Sequence, residues 1–414
     1  MQDVLIVGGG IGGLTLALEL HQRGIPCRVF ESAPRLEAAG VGINLLPHAM
    51  RAYSELGLQD ALEKVAVETA EAAFFNRYGQ LIYREPLGRR AGYVWPQLSI
   101  HRGELQAVLL EAFRQRLGAD RLHLGSHCLS TEESAQGAKI YFKNQPPASG
   151  AAVVGCDGIH SIVRRQFYPD EGEPSYSGVN MWRGVTRWKP ILSGATLLRA
   201  GWLRGGKLVH YPIRNDVDET VDGTKRQLVA WQWEIETPNY ERWDWNRVAR
   251  VEDFVGDVES WHFDWLDVPD FFRAAEVVLE YPMVDKDPLP AWSFGRVTLL
   301  GDAAHPTYPR GSNAPGQAIL DAHALAECIE RDKGELRKAL KAYEAERLAP
   351  SSSVVLENRG NPPDAILREV YERTGDRPFE RIDAVITADE LKALSERYKQ
   401  LAGYDKRTLK EANR

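Results

Sequence analysis

The sequence has 414 residues, which is enough for two or three domains or for one large core with an inserted lobe. Its 43% hydrophobic and 26% charged residues are typical of a globular protein and exclude a disordered or fibrous chain. The net charge of −7 argues against nucleic acid as a partner, because phosphate binding needs a basic face. No apolar run approaches the roughly 18 residues of a membrane span, and we expect the short apolar run at the start to be a strand rather than part of a signal peptide. We therefore expect no membrane partner and a cytoplasmic location.

The four cysteines, at positions 27, 128, 156 and 328, have neither CxxC nor metal-site spacing. This spacing favours reduced, mostly buried thiols over a disulfide framework. We expect no metal site.

The N-terminal residues predict a β-α-β unit. An apolar strand over 3–8 is followed by helical periodicity over 12–24 and by a second strand over 27–31. A strand that runs into glycines and then a helix is the context of a dinucleotide-binding turn.

Glycines at positions 8, 10 and 13 form the pattern G-x-G-x-x-G, with a further glycine at 12. Gly8 permits the tight turn, Gly10 lets a pyrophosphate approach the backbone, and Gly13 allows close packing of helix on strand. The N–H groups at the helix start favour phosphate. Glu31 closes the second strand, where an acid can bind a ribose diol. This motif alone leaves NAD and FAD open.

The following segments alternate in character along the chain. Helices are predicted over 47–65 and 102–117, a hairpin over 70–84, and short strands over 121–129, 138–143 and 151–156. Nine of the eleven tryptophans lie between 182 and 265, among strands predicted over 178–188, 207–213, 227–235 and 276–282. A strand over 296–300 and helices over 314–331, 335–357, 363–373 and 387–402 complete the chain.

These elements predict an α/β fold: a Rossmann-like domain with an inserted β-rich lobe and a helical C-terminus. We expect a discontinuous nucleotide-binding domain over 1–70, 98–170 and 284–357. The β-rich substrate domain would comprise 71–97 and 171–283. The remaining segment, 358–414, would cap the first domain or form a dimer contact, and the sequence leaves monomer and homodimer open.

Two further motifs support a specific resemblance. Residues 153–164 read VVGCDGIHSIVR, and residues 298–321 read TLLGDAAHPTYPRGSNAPGQAILD. With the glycine turn, they resemble in order the motifs of the single-component FAD-dependent aromatic hydroxylases, the p-hydroxybenzoate hydroxylase-like flavoprotein monooxygenases. Segments at 99–105, 181–186 and 281–288 are most similar to the phenazine-modifying branch, which includes the 5-methylphenazine-1-carboxylate monooxygenases.

The resemblance implies a set of FAD-binding residues. Besides Glu31 and the glycines of the turn, these are Val41, Gly42, Arg102, Cys128, Asp157, Asp302, Gly311, Ser312 and Asn313. Simpler roles stay open for several of them: a helix N-cap for Asp302, a structural turn for Asp157, a surface ion pair for Arg102 and an ordinary strand position for Cys128. After Gly311 the family usually has further small residues, whereas this chain has SNAPG and so departs from the family pattern. A proline is acceptable in the first turn of a helix, because no N–H is required there.

The resemblance also implies a reaction. NADH or NADPH would bind transiently and reduce the FAD, and O2 would give a flavin C4a-hydroperoxide that hydroxylates an aromatic or heteroaromatic molecule, phenazine-like and carboxylated. Two alternatives share every flavin motif: an oxidoreductase that epoxidises, oxidatively decarboxylates or dehydrogenates, and a flavoprotein that only sequesters its ligand.

The substrate pocket is expected between the flavin and the lobe. Aromatic candidates for stacking on a flat ring are Trp182, Tyr211, Trp231 and Tyr308, although each could equally belong to the lobe core. Arg183 could bind a carboxylate. His48 and His305 are candidate bases, although a simple polar contact is the alternative for each, and the carbonyl of Pro309 is expected near the substrate.

Overall fold

The computed structural model describes residues 2–36, 40–219, 223, 225–239, 247–360 and 364–411. Two large sheets and a set of helices make up this part of the chain, so the predicted α/β class is confirmed. Its α-helices are Ile11–Gln22, Pro47–Glu55, Gln59–Glu63, Arg102–Leu117, Ile162–Phe167, Val268–Arg273, Ala314–Arg331, Leu336–Gly360, Ala365–Thr374, Ala388–Leu401 and Lys406–Glu411.

The first large sheet, here called the parallel sheet, carries the glycine turn. In spatial order its strands are Ser293–Phe294, Val297–Leu299, Ala152–Gly155, Val4–Val7, Cys27–Phe30 and Leu122–His123. All described neighbours run parallel except the first two. Every residue of Val4–Val7 is buried, as expected for a central strand covered on both faces. The sheet therefore unites segments from the start, middle and later part of the chain.

The second large sheet, the lobe sheet, is mostly antiparallel. In spatial order its strands are Arg247–Val248, Ala275–Asp285, Ser175–Trp188, Lys225–Glu236, Gly206–Glu219, Thr196–Trp202, Glu71–Phe75 and Leu81–Pro86. Side chains alternate across a strand, so Trp231 and Trp233 enter an aromatic core on one face. Gln232 and Glu234 occupy the opposite face. That second face is the one that borders the candidate site.

Smaller elements connect the two large sheets. Strands Gly42–Leu45, Leu98–His101 and Ala66–Glu68 form one small sheet, Gln145–Gly150, Ala138–Phe142 and Cys128–Glu133 another, and His262–Phe263 pairs with Leu266–Asp267. The 3-10 turns are Gly88–Ala91, Ala119–Arg121, Val251–Asp253, Val255–Val258, Gly301–Ala303 and Ile382–Ala384.

Several described strands were not expected from the sequence, and for three of them the physical reason is clear. Thr196–Trp202 is buried on both faces over its first six residues and so lacks alternation. Gln145–Gly150 contains two prolines, which weaken a strand pattern. Gly42–Leu45 has only four residues and begins with a glycine, so its strand pattern is weak, and it pairs with Leu98–His101. Trp243 and Trp245 of the tryptophan-rich stretch lie outside the described residues.

The lobe sheet joins segments that are distant in sequence, and the division into domains stays a prediction. The hairpin strand Glu71–Phe75 pairs with Thr196–Trp202 in the lobe sheet, although more than a hundred residues separate them in sequence. Helix Leu336–Gly360 continues past residue 357, so a boundary there would cut a helix. Searching the described helices for a stretch long and apolar enough to cross a bilayer finds none.

Candidate functional site

The glycine turn has the geometry that its motif predicts. Gly8 has a φ of +106°, and a Cβ there would lie 2.4 Å from the Cys156 carbonyl oxygen. A Cβ on Gly13 would lie 2.0 Å from the Gly8 carbonyl oxygen. A Cβ on Gly10 would have no neighbour within 4 Å. Gly8 and Gly13 therefore permit close packing, whereas Gly10 borders open space that a ligand can enter.

The Glu31 carboxylate is fixed by the turn that it closes. Its Oε2 accepts a hydrogen bond from the Gly9 N–H at 2.7 Å, and its Oε1 accepts one from the Ala33 N–H at 2.7 Å. These bonds tie the second strand to the glycine turn. Glu31 does not line the cavity described next.

A cavity of about 470 Å³ lies between the parallel sheet and the lobe sheet. The sequence-predicted residues that line it are Gly10, Gly12, Gly42, Arg102, Arg183, Tyr211, Asp302, Pro309, Ser312 and Asn313. Residues from the first, middle and last thirds of the chain thus meet at one place, which is the expected position of a flavin-dependent site.

Asp302 faces the cavity from the turn Gly301–Ala303. Leu300 holds the N-cap position of this turn, and no side chain caps it, so the simpler N-cap role for Asp302 is wrong. The surrounding protein desolvates the carboxylate and raises its pKa, while His305 and Arg102 act in the opposite direction. His305 itself lies 2.5 Å from the Asp321 carboxylate and does not line the cavity.

The loop before helix Ala314–Arg331 has an unusual backbone. Gly311 and Ser312 have φ values of +76° and +56°, and Pro315 stands in the first turn of the helix, where no N–H is required. Asn313 is 1% exposed, and its side chain does not cap the helix. Its Oδ1 lies 2.9 Å from His48 Nε2, and its Nδ2 has no partner among the described residues.

The expectation that His48 acts as a base disagrees with its surroundings. The imidazole is 1% exposed and does not line the cavity. Burial lowers its pKa to about 3, against a smaller opposing effect of the hydrogen bond to Asn313. A neutral, enclosed imidazole cannot collect a proton from a substrate near pH 7, so this prediction is corrected. Pro309, the other catalytic candidate, does line the cavity.

Arg183 and Tyr211 meet at one carbonyl oxygen. Arg183 Nη2 and the Tyr211 hydroxyl donate to the Gly42 oxygen at 3.0 and 2.8 Å. A Cβ on Gly42 would lie only 2.4 Å from the Ala230 Cβ, so the strand can approach the lobe sheet closely only with glycine here. Burial raises the pKa of Tyr211. The hydroxyl therefore stays protonated and acts as a donor.

Three of the aromatic substrate candidates are placed elsewhere. Trp182 and Trp231 belong to the aromatic core on the far face of the lobe sheet, because they alternate with the cavity-facing Arg183 and Gln232. Tyr308 is 7% exposed and packs with Met181 and Met283. The two tryptophans lie in the lobe core, which was the alternative role for each, and Tyr308 does not line the cavity.

Asp157 and Cys128 do not line the cavity. Asp157 accepts hydrogen bonds from Ser161 Oγ at 2.5 Å and from the N–H groups of Ile162 and Val163 at 2.8 and 3.2 Å. It therefore caps helix Ile162–Phe167, which is the structural role left open above. Cys128 is buried at the start of a strand.

Val41 and Gly311 do not line the cavity themselves, but each is next to a residue that does. The Val41 carbonyl accepts from the Arg102 N–H at 3.0 Å, and this bond places Arg102 at the cavity. Gly311 lies beside the lining and packs against Tyr398, as described below.

Three polar lining residues were not among the site residues predicted from the sequence. Asn44 donates to Ser312 Oγ at 3.4 Å and accepts from Ser99 Oγ at 2.6 Å. Gln232 and Tyr281 line the cavity from the lobe sheet. The signal for Gln232 was available, because a polar residue between Trp231 and Trp233 must face away from the tryptophan core.

The donor set of the cavity fits FAD. Gly10 leaves open space beside a helix start, and Asn313 provides a buried amide nitrogen without a partner. Arg102 and Asp302 supply a cation and a carboxylate for phosphate and hydroxyl groups. In the described part of the chain, no group of three or more His, Cys, Asp or Glu side chains is arranged to hold a metal ion.

Comparisons with known proteins agree with this interpretation. A family model described as "FAD binding domain" matches residues 1–193. A phenazine 1,6-dicarboxylic acid hydroxylase from Lysobacter antibioticus is 39% identical over 367 residues, covering 86% of this chain and 89% of that protein. A 3-amino-4-hydroxybenzoate 2-monooxygenase from Streptomyces cremeus is 33% identical, covering 85% of this chain and 84% of the relative.

Solved structures share the fold. The structure of HpxO from Klebsiella pneumoniae, complexed with FAD and uric acid, has a TM-score of 0.72 at 23% identity. The match covers 97% of this chain and 92% of that one. At this identity the likeness supports the architecture alone.

Proposed function

Because this chain belongs to the single-component FAD-dependent aromatic hydroxylases, we propose that it hydroxylates a flat, carboxylated heteroaromatic molecule of the phenazine type, with NADH or NADPH and O2. The relatives named above act on aromatic compounds, and one is named for a phenazine dicarboxylic acid. The nicotinamide donor, the use of O2 and the substrate class are parts of the proposal.

The observation that carries the proposal is the cavity between the two sheets. One wall fits FAD through Gly10, Arg102, Asp302 and Asn313, and the other wall belongs to the lobe sheet. FAD, when bound, supplies the redox chemistry and the activation of O2. The protein then has to hold an aromatic ring beside the isoalloxazine and keep bulk water out.

The lobe wall orients the substrate and does not exchange protons. Arg183 and Tyr211 donate to the Gly42 oxygen, and Gln232 lines the cavity beside them. Among the described residues that line the cavity, Asp302 alone offers a carboxylate or imidazole. We infer that the aromatic ring of the substrate is already electron-rich when it binds. The site then has to orient this ring and does not need a strong base to remove a proton from it.

Buried cationic groups support an anionic substrate. Arg199 is 7% exposed and makes no hydrogen bond to a described residue; it lies over the Phe74 ring at 5.4 Å. It lines a space of about 40 Å³ that shares Ser312 with the main cavity. Arg310 is 9% exposed, and its Nε has no partner among the described residues. Both guanidinium groups act electrostatically on the buried Asp364 carboxylate, and Glu85 and Lys399 line the same small space as Arg199. Neither arginine has a direct ion-pair partner among the described residues, so a substrate carboxylate in this region would provide one and offset the cost of burying them.

The first test is anaerobic reduction of the bound flavin by NADPH and by NADH, with and without aromatic acids, phenols and phenazines. We expect one carboxylated heteroaromatic compound to accelerate reduction strongly with one donor. Turnover under ¹⁸O2 should then add one labelled oxygen atom to that compound. Reduction followed by an unlabelled, dehydrogenated or decarboxylated product would instead favour the alternative oxidoreductase. Tight binding without faster reduction would favour a sequestering protein.

Replacing Arg199 with glutamine should raise the KM for a phenazine carboxylate about 10- to 100-fold, which is the loss expected for one charge-assisted hydrogen bond. The KM for the corresponding neutral carboxamide should change little. Arg214 is a matched control, because it is exposed on the neighbouring strand and pairs with Glu104 at 3.0 Å. Equal losses for the acid and the amide would contradict an anionic subsite at Arg199.

A further inference from the structure

We propose that the C-terminal segment 388–411 completes the flavin site, with Tyr404 and His48 acting as positioning residues that orient the side-chain amide of Asn313 toward the flavin ring. This role rests on FAD binding alone and is independent of the substrate proposed above. The segment consists of helix Ala388–Leu401, a short turn and helix Lys406–Glu411. It packs against the loop 307–317, whose other side borders the cavity.

The first contact is made by Tyr398. Its hydroxyl donates to Asn358 Oδ1 at 2.9 Å, and Asn358 Nδ2 donates to Thr307 Oγ1 at 2.9 Å. A Cβ on Gly311 would lie 2.0 Å from the same tyrosine hydroxyl. The positive φ of Gly311 and its contact with Tyr398 both require glycine, so the loop is shaped to fit the C-terminal helix.

The second contact reaches the cavity through His48. The Tyr404 ring stacks on the His48 imidazole, with centroids 5.5 Å apart and planes 14° from parallel. His48 Nε2 then meets Asn313 Oδ1 at 2.9 Å. A Cβ on Gly316 would lie 2.7 Å from His48 Nε2 and 2.9 Å from Asn313 Oδ1. Gly316 is the last residue of the SNAPG sequence described above. Because it has no side chain, it leaves space for the contact between His48 and Asn313.

The pair fixes which end of the Asn313 amide is free. Burial keeps the His48 imidazole neutral by lowering its pKa to about 3. Because Asn313 Oδ1 is an acceptor, His48 donates from Nε2, and its Nδ1 has no described partner. Asn313 Nδ2 remains as a buried donor without a described partner, in a residue that lines the cavity. Such a donor is well placed to stabilise negative charge on the flavin edge.

The test measures FAD affinity, the visible spectrum of the bound flavin and its reduction potential in full-length variants. Tyr404→Leu removes the stacked ring, and we expect the Kd for FAD to rise about tenfold, with a changed spectrum and a lower potential. Tyr404→Phe keeps the ring and should stay within about twofold of the wild type. His48→Gln retains a donor near Nε2 and should bind FAD more tightly than His48→Leu.

A matched control separates positioning from general packing. Phe379 packs in the other C-terminal cluster with Ile366 and Leu367, away from the loop 307–317. Phe379→Leu should lower the thermal stability without altering the spectrum or the potential. The proposal is overturned if Tyr404→Leu leaves the Kd, spectrum and potential unchanged, or if Phe379→Leu changes them equally. If Tyr404→Leu does not fold, equal behaviour of His48→Gln and His48→Leu would overturn it.

Discussion

Replacing Lys207 with methionine should lower the free energy of unfolding by about 3–5 kcal/mol, because it leaves two buried carboxylates without their cation. Lys207 is 1% exposed on the cavity-side face of the lobe sheet. Its Nζ forms an ion pair with Glu234 at 2.8 Å and a second one with Asp364. Asp364 directly precedes helix Ala365–Thr374, so the ion pairs attach the C-terminal helices to the lobe. Urea denaturation at pH 7 measures the loss.

The pH dependence distinguishes this mechanism from a simple packing defect. In the wild type, Lys207 and the nearby Arg199 and Arg310 hold the Asp364 pKa below its ordinary 3.8, against desolvation. This contribution is present above about pH 4 and is lost as the pH falls below that value. In Lys207→Met the buried Asp364 carboxylate loses its direct ion-pair partner, so protonation of this carboxylate at lower pH relieves part of the destabilisation. The stability difference between variant and wild type should therefore shrink as the pH falls from 7 to 4.

A surface lysine provides the control for that series. Lys225 lies on the adjacent strand and pairs with Asp216 at 3.4 Å, with its side chain 58% exposed. Lys225→Met should change the unfolding free energy by less than about 1 kcal/mol at any pH. A Lys207→Met deficit that stays constant between pH 7 and 4 would show that lost packing, and not lost charge, is responsible.

The sequence predicted the elements whose signal is local. The strand and helix around the glycine turn follow from an apolar run, glycines and a 3.6-residue period, and the structure has Val4–Val7 and Ile11–Gln22 there. Thr196–Trp202 could not be found in this way, because burial on both faces removes the alternation. Its partner in the sheet, Glu71–Phe75, lies far away in the sequence, and only tertiary structure brings the two together.

Site residues that belong to a backbone motif could be predicted from the sequence. Residues whose role depends on the side chains packed around them could be predicted less well. Gly10, Asp302 and Asn313 line the cavity as expected, since their positions follow strand ends and a helix start. The sequence offered His48 as a candidate base, but in the structure its imidazole is enclosed by Asn313 and Tyr404 and does not reach the cavity. The Tyr404 ring comes from a C-terminal segment that is more than three hundred residues away from His48 in the sequence. No residue pattern in a single sequence indicates that this segment packs against His48.

Arg164 is the last residue of the motif over 153–164. Among the residues of that motif, its substitution is expected to affect stability and FAD binding most, for reasons that only the structure shows. Its side chain is 1% exposed and forms a bidentate ion pair with Glu171, which also pairs with Lys286 at 2.8 Å. Nη1 donates to the carbonyl oxygens of Ala303 and Ala304 at 3.2 and 2.9 Å. These carbonyls directly follow Asp302, so one guanidinium links the helix of the second motif to the loop that holds the cavity carboxylate.

Arg164→Met should therefore destabilise the protein by about 3–5 kcal/mol and weaken FAD binding by about tenfold or more, because buried carbonyls and a carboxylate lose their donor. Arg164→Lys keeps the charge but not the planar fork, so it should restore only part of either loss. The neighbouring Arg165 is exposed, and Arg165→Met is the matched control. Urea denaturation gives the stability, and flavin fluorescence gives the Kd of the folded fraction. A different outcome would be that Arg164→Met is destabilised but its folded fraction binds FAD with the wild-type Kd. In that case the hydrogen bonds to Ala303 and Ala304 do not position the flavin site, and Arg164 contributes to the stability of the fold alone.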